Sequence, residues 1–190
     1  MARVIDDPKG LILDTAQNIL CKEGYAKLSM RNIAKEAGLA VGTIYNYYSD
    51  KKDLVIGMME EYWKKYFKIL EEIEASEEDF YLKLKKVFHY LQDFIANFRE
   101  IWLKVEFYSS KDYVEAGIAR EEIYIGKYMK SIELLLIKEI FNNKPELYDK
   151  ISSRELSEFI SMNLITIVQM KNFNYESFEK VLKIIIGEPS

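Results

Sequence analysis

The run Gly42-Thr43-Ile44-Tyr45-Asn46-Tyr47-Tyr48 gathers side chains whose reach and hydrogen-bonding capacity suit nucleic acid. On a helical wheel of about 100° per residue, Ile44 and Tyr48 fall together and point inward, with Val41 close beside them. Gly42, Thr43 and Asn46 fall on the opposite face, flanked by Tyr45 and Tyr47. An asparagine amide can bond an adenine edge, a threonine hydroxyl a base or a phosphate, and phenols can reach phosphate oxygens. Gly42 has no side chain to hold the backbone away from DNA. Asp50-Lys51-Lys52-Asp53 follows. Asp50 suits an N-cap and Asp53 the first turn of a helix, whereas a lysine there opposes the helix dipole by about 0.3–1 kcal/mol. A bound phosphate reverses that penalty and uses the free N–H groups, so Lys51 is read as a phosphate contact. The competing reading is a pair of solvated lysines on an exposed turn.

Other chemistry is thinly provided for. His89 is the only histidine and Cys21 the only cysteine. A catalytic triad would need those two residues together, and neither zinc-ligand spacing nor a phosphate-cradling glycine loop occurs. No catalytic residue, metal or cofactor is expected, and a helical enzyme is the weakest of the functional readings. Cys21 falls opposite Ile12 on its helix, which places it at the surface, where thiol oxidation is conceivable. His89 lies off the apolar stripe of its own helix.

The elements that must position these residues read as all-α. The three prolines are Pro8, Pro145 and Pro189, and no Asn-Gly or Asp-Gly hairpin signal interrupts the chain. A first helix covers about 9–23, with Ile12, Leu13, Ala16, Ile19 and Leu20 on one buried face. A second starts at Ser29, whose hydroxyl suits an N-cap, and ends near Ala37-Gly38. A third covers about 40–48, and a fourth starts after Asp50 and runs to about Glu74. Ala34, Gly38 and Ile44 supply the small residue, the turn glycine and the branched inner residue that a helix-turn-helix needs. Further helices are expected near 77–98, 100–108, 113–141, 153–171 and 175–186, with breaks at Ser109-Ser110, Asn142 to Pro145 and Asn172 to Asn174. The chain thus divides into a three-helix DNA-binding domain over 1–52 and a larger helical domain over 53–190.

Charge follows the same division. The net charge is −4, yet residues 1–52 carry 8 Lys/Arg against 6 Asp/Glu and residues 53–190 carry 19 against 25. The positive balance sits where a DNA contact needs it. No apolar stretch approaches the roughly 18 residues of a membrane span, and no signal-like segment opens the chain, so a cytoplasmic protein is expected.

These residues carry a family resemblance. Ile12-Leu13-Asp14, Gly24-Tyr25, Ser29 to Ala34, Ala37-Gly38-Leu39, Gly42 to Tyr48 and Lys51 to Leu54 together resemble the N-terminal domain of the tetracycline-repressor (TetR) family, over about residues 9–56. The resemblance implies a homodimer that reads an inverted-repeat operator in double-stranded DNA and a C-terminal domain whose small-molecule effector releases the DNA. By position it marks Thr43, Tyr45, Asn46, Tyr47 and Lys51 as DNA contacts; Ser29, Arg31 and Gly42 complete the candidate set. Ala40 and Val41 depart from the serine and lysine common in the family, which removes one cap hydroxyl and one phosphate contact. A regulator answering to a protein partner or to thiol oxidation is the alternative.

In the second domain the aromatic load points to a cavity for a flat or greasy effector. The candidates are Trp63, Tyr66, Phe88, Trp102, Tyr124 and Tyr128, and most aromatics at helical spacing serve simply as core. Glu106 falls on the same helical side as Trp102; an acid there favours a cationic effector, unless it faces solvent. Along 153–171, Leu156, Phe159, Ile160, Ile167 and Met170 cover one side and Met162, Leu164, Ile165 and Val168 the other. The last helix adds Phe178, Val181, Leu182 and Ile185. A helix apolar nearly all round must be covered on more than one side, so these two helices are expected to form a four-helix bundle with a second subunit. The competing reading encloses 153–171 within a monomer.

Overall fold

A computed structural model gives the architecture, and it describes residues 6–102, 111–170 and 174–187. Eight α-helices stand among them: α1 Pro8–Glu23, α2 Met30–Ala37, α3 Val41–Tyr47, α4 Lys51–Ala75, α5 Phe80–Trp102, α6 Lys111–Leu136, α7 Ser153–Gln169 and α8 Tyr175–Ile186. No strand occurs among the described residues. The chain forms two compact units, Met1–Lys64 with Arg99–Ala116 and Lys65–Phe98 with Gly117–Ser190. The passage from one to the other at Lys64 falls inside α4.

In the first unit, local signals set each helix end. Asp7 accepts a hydrogen bond from the Gly10 N–H at 2.9 Å, and Pro8 occupies the first helical position, where its missing N–H costs nothing. The face of α1 buries Ile12, Leu13, Ala16, Ile19 and Leu20; full burial of each larger side chain contributes about 1.5–3 kcal/mol. A single 3-10 turn, Tyr25–Lys27, then leads to α2. Ser29 caps α2 by accepting from the Asn32 N–H at 3.2 Å. The Asn32 side chain in turn donates to the Lys27 carbonyl at 2.8 Å. Gly38 ends α2 in the left-handed region at φ +67°, where a Cβ would be strained, and Leu39 N–H closes back on the Ala34 carbonyl at 2.9 Å. Ala34 is buried, and its small size lets α2 pack on both α1 and α3.

The second unit is built on α5, whose Phe80, Leu84, Val87, Phe88, Leu91 and Phe94 are buried along one stripe. Helix α5 runs without a break through Trp102, so the division expected near residue 99 is absent. Neither Arg99 nor Glu100 is a helix breaker, and the i→i−4 ladder continues through them. The helix expected over 113–141 is α only to Leu136; Ile137–Phe141 forms a wider π turn, closed by Asn142 N–H to the Ile137 carbonyl at 3.0 Å. A 3-10 segment, Pro145–Asp149, follows it. Helix α7 opens on a capping box: Ser152 accepts from Glu155 N–H at 3.2 Å while Glu155 accepts from Ser152 N–H at 2.9 Å. The Ser152 hydroxyl and N–H hold the exposed Glu155 carboxyl below its usual range. Asn174 caps α8 through the Ser177 N–H at 2.8 Å.

Among the described residues, one charge lies inside this unit. Lys83 is 2% exposed, and its ammonium donates to Glu139 at 2.6 Å and to the Glu74 carbonyl at 3.2 Å. Lys138 reaches the same carbonyl at 3.0 Å. Two cations therefore meet the carbonyl end of α4, where the helix dipole favours them.

Candidate nucleic-acid interface

Helix α3 is held by its inner residues and offers its outer ones. Ile44 and Tyr48 are buried, whereas Gly42, Tyr45, Asn46 and Tyr47 are exposed and Thr43 is half-exposed. The polar face read from the wheel thus points away from the unit's core. Val41 departs from that reading. It is 37% exposed, so it does not join Ile44 and Tyr48 on the buried face. Ala40 caps α3 without any side-chain hydrogen bond, as its methyl side chain dictates.

Tyr48 ends α3 and its ring packs onto α4 at Gly57, where a Cβ would stand 2.7 Å from the tyrosine Cε1. Its hydroxyl is enclosed and has no hydrogen-bond partner. Burial, helped by the Asp53 carboxylate, pushes its pKa up to about 12. Asp53 serves the start of α4 twice. Its N–H donates to Asp50 at 2.8 Å, and its carboxylate accepts from Ser49 N–H at 2.9 Å.

Lys51 turns toward the body of the unit. Its Nζ donates to the Tyr25 carbonyl at 2.8 Å and stands 3.4 Å from the centre of the Tyr25 ring. A carbonyl and a ring face offset the cost of a cation at a helix N-terminus. The ammonium carries three protons, so this geometry is compatible with a phosphate in addition. Ser29 is half-buried and engaged as the α2 cap, and Arg31 is exposed beside it. Cys21 is exposed, as its wheel position implied, and so is His89.

The expected effector residues separate. Tyr66 and Tyr128 are buried and face each other with ring centres 6.4 Å apart. Tyr66 also meets Phe94 at 4.6 Å, and half-buried Tyr124 lies 6.2 Å from Phe67. Phe88 stacks instead on Tyr175 at 4.9 Å, as core. Trp63 is half-buried on α4. The Trp102 side chain and Glu106 lie outside the described residues. Phe67 and Phe94, which are not among the candidates read from the sequence, join the cluster; their partners come from distant helices, which no local pattern reveals. Burial drives the Tyr66 and Tyr128 hydroxyls well above the usual tyrosine range, so both stay protonated. Next to this cluster, a mainly apolar cleft among Leu70, Ile73, Glu74, Val87, Ser131, Ile132 and Leu135 encloses about 10 Å³, room for one water. No group of three or more metal-ligating residues occurs among the described residues, and no helix among them is long and apolar enough to cross a membrane.

Comparison with known proteins agrees with this geometry. Residues 12–58 match the family model for bacterial regulatory proteins of the tetR family. The fatty acid metabolism regulator protein of Bacillus subtilis is 38% identical over 68 residues, a match that spans 36% of this chain and 32% of that protein. Among solved structures, a transcriptional regulator from Cytophaga hutchinsonii has a TM-score of 0.68 at 18% identity, over 95% of this chain and 93% of the other. The transcriptional regulator FadR from Bacillus subtilis, in complex with stearoyl-CoA, has a TM-score of 0.59 at 20% identity, over 94% and 98%. The helix-turn-helix of α2 and α3 and the matched residues 12–58 identify an N-terminal domain of the tetR-family type, and the chain as a whole shares an all-helical fold with these solved regulators.

Proposed function

We propose that the protein is a homodimeric repressor, that it grips an inverted-repeat operator through α3, and that a long acyl chain bound in the second unit releases it. The carrying observation is the split of α3, in which Ile44 and Tyr48 are buried while Tyr45, Asn46 and Tyr47 stand exposed. In this reading Asn46 and Thr43 read base edges, Tyr45 and Tyr47 contact phosphates, and Arg31, Lys51 and the Ser29 end of α2 flank them on the backbone. The acyl effector is supported by the likeness to the Bacillus subtilis fatty acid metabolism regulator, by the stearoyl-CoA held in the FadR structure and by the ring cluster around Tyr66 and Tyr128.

Dimerisation through α7 and α8 is supported by their uncovered apolar surface. On α7 the buried face is Leu156, Ile160, Leu164 and Ile167, so Leu164 belongs with the core, whereas Phe159, Met162 and, just past the end of the helix, Met170 are exposed. On α8, Phe178 and Leu182 are buried while Val181, Ile185 and Ile184, the last 84% exposed, are bare. Val168 sits at the edge of the buried face, half-exposed, and is a poorer probe than Met162.

Operator fragments selected from a random DNA pool test the whole reading in one gel-shift series. The protein should retain palindromic fragments and lose them on addition of stearoyl-CoA. Met162→Glu with Ile184→Glu should sediment as a monomer and bind at least about tenfold more weakly. Retention of non-palindromic DNA by a wild-type monomer would overturn the proposal.

A further inference from the structure

The Tyr128 hydroxyl is fully enclosed in the second unit and has no hydrogen-bond partner. Buried polar groups are rarely left so, because an unmade hydrogen bond forfeits the solvation the group had in water. Apart from the enclosed Tyr66 hydroxyl, the surroundings are aromatic and aliphatic: the Tyr66 ring lies at 6.4 Å, and Phe94 packs on Tyr66 at 4.6 Å. Leu70 on α4 and Ile132 on α6, each one helical turn beyond Tyr66 and Tyr128, line the small cleft, whose wall is mainly aliphatic with Glu74 and Ser131 as its polar members. A phenol held protonated by burial is a donor in search of an oxygen acceptor. Quaternary ammonium chemistry does not answer that need, since such a head has neither a proton nor a lone pair to offer. An oxygen at the end of an alkyl chain does, and the chain itself suits the aliphatic cleft.

Resting on the acyl-effector reading above, we propose that Tyr128 is the polar anchor of the effector site. Its hydroxyl donates to the carboxylate or thioester carbonyl oxygen of a long acyl chain, whose body lies among Tyr66, Phe94, Leu70 and Ile132. The cleft holds only one water, so entry of the chain parts these residues. The orphan hydroxyl makes the closed arrangement less favourable than a well-satisfied core.

The test compares wild type with Tyr128→Phe against three probes: stearate, stearoyl-CoA and the S-octadecyl thioether of CoA, which lacks the carbonyl. Without probe, Tyr128→Phe should melt at or slightly above the wild type, because the change removes an unpaired polar atom and no contact. The variant should lose about tenfold in affinity for stearate or stearoyl-CoA and nothing for the thioether. Loss confined to stearate identifies a free carboxylate as the acceptor, and loss confined to stearoyl-CoA a thioester. Equal binding of the oxygen-bearing probes by both proteins overturns the anchor and leaves the acyl reading standing. A probe-free melting point several degrees below the wild type also overturns it, because the hydroxyl then has a structural partner. If the wild type binds none of the three, the acyl reading itself fails, and the anchor with it.

Discussion

Tyr48 and Gly57 fit together as ring against bare backbone: the tyrosine Cε1 lies 2.7 Å from where a Cβ on residue 57 would stand. The pair locks the end of α3 to the body of α4. It explains a glycine in the interior of a long helix, where alanine is favoured by about 1 kcal/mol.

Gly57→Ala should therefore fail to deliver that gain. The added methyl displaces the Tyr48 ring, and overpacking of this kind costs about 1–3 kcal/mol. We expect urea denaturation to show equal or lower stability than the wild type, and gel shifts to show weaker operator binding. A variant that is more stable and binds fully would refute the packing.

The outer face of α3 makes a separate prediction. Tyr47→Ala should leave the melting temperature unchanged, since the ring is exposed, while weakening the operator complex by about 1–3 kcal/mol. Lys51→Ala should weaken binding to every sequence and lower the salt slope by about one. It should also cost some stability, because the Tyr25 carbonyl and ring lose their cation. Salt titrations in gel shift and thermal melts separate the two contributions.

Removing Glu139 leaves the buried Lys83 ammonium with only the Glu74 carbonyl among the acceptors described above. Breaking a buried pair from one side costs about 3–5 kcal/mol, whereas an apolar replacement of the pair is far milder. Glu139 retains some exposure, so the lower end is expected for Glu139→Ala. Lys83→Met combined with Glu139→Ala should recover most of the loss. Urea unfolding of the single and double variants measures it.

Alkaline stability should depend on Tyr48. Its folded pKa, about 12, lies above the ordinary value of 10.0. The protein's advantage is whole below pH 10 and is lost as pH rises toward 12, because the unfolded chain releases this proton first. Tyr48→Phe should show a shallower fall of melting temperature across that window. An identical alkaline limb in both proteins would count against the burial of this hydroxyl.

Sequence legibility followed the range of the forces involved. The bounds of α1 to α3 and the outward face of α3 were readable because Ser29, Gly38 and the Ile44–Tyr48 spacing act within one or two turns. The sides of α7 were not. That helix is apolar nearly all round, so its wheel has no polar marker, and only tertiary packing decides that Leu164 is inside and Phe159 outside. Lys83 stands at the flank of the α5 stripe and reads as a solvated cation until Glu139, far along the chain, is brought to it. The aromatic types needed around Tyr128 were visible in composition, but the pairing of Tyr66 with Phe94 and Tyr128 joins three helices and lies beyond any periodicity.

Helix α4 belongs to both compact units without a loop between them, and this sets how such regulators can be recombined. A protease needs an extended strand of chain to cut, and residues 51–75 offer instead a continuous hydrogen-bonded ladder. Exchange of DNA-reading heads between relatives must therefore be spliced within a helix. A junction off by a single residue turns the buried face of the remaining helix by about 100°, so functional chimeras should come from register-matched joins.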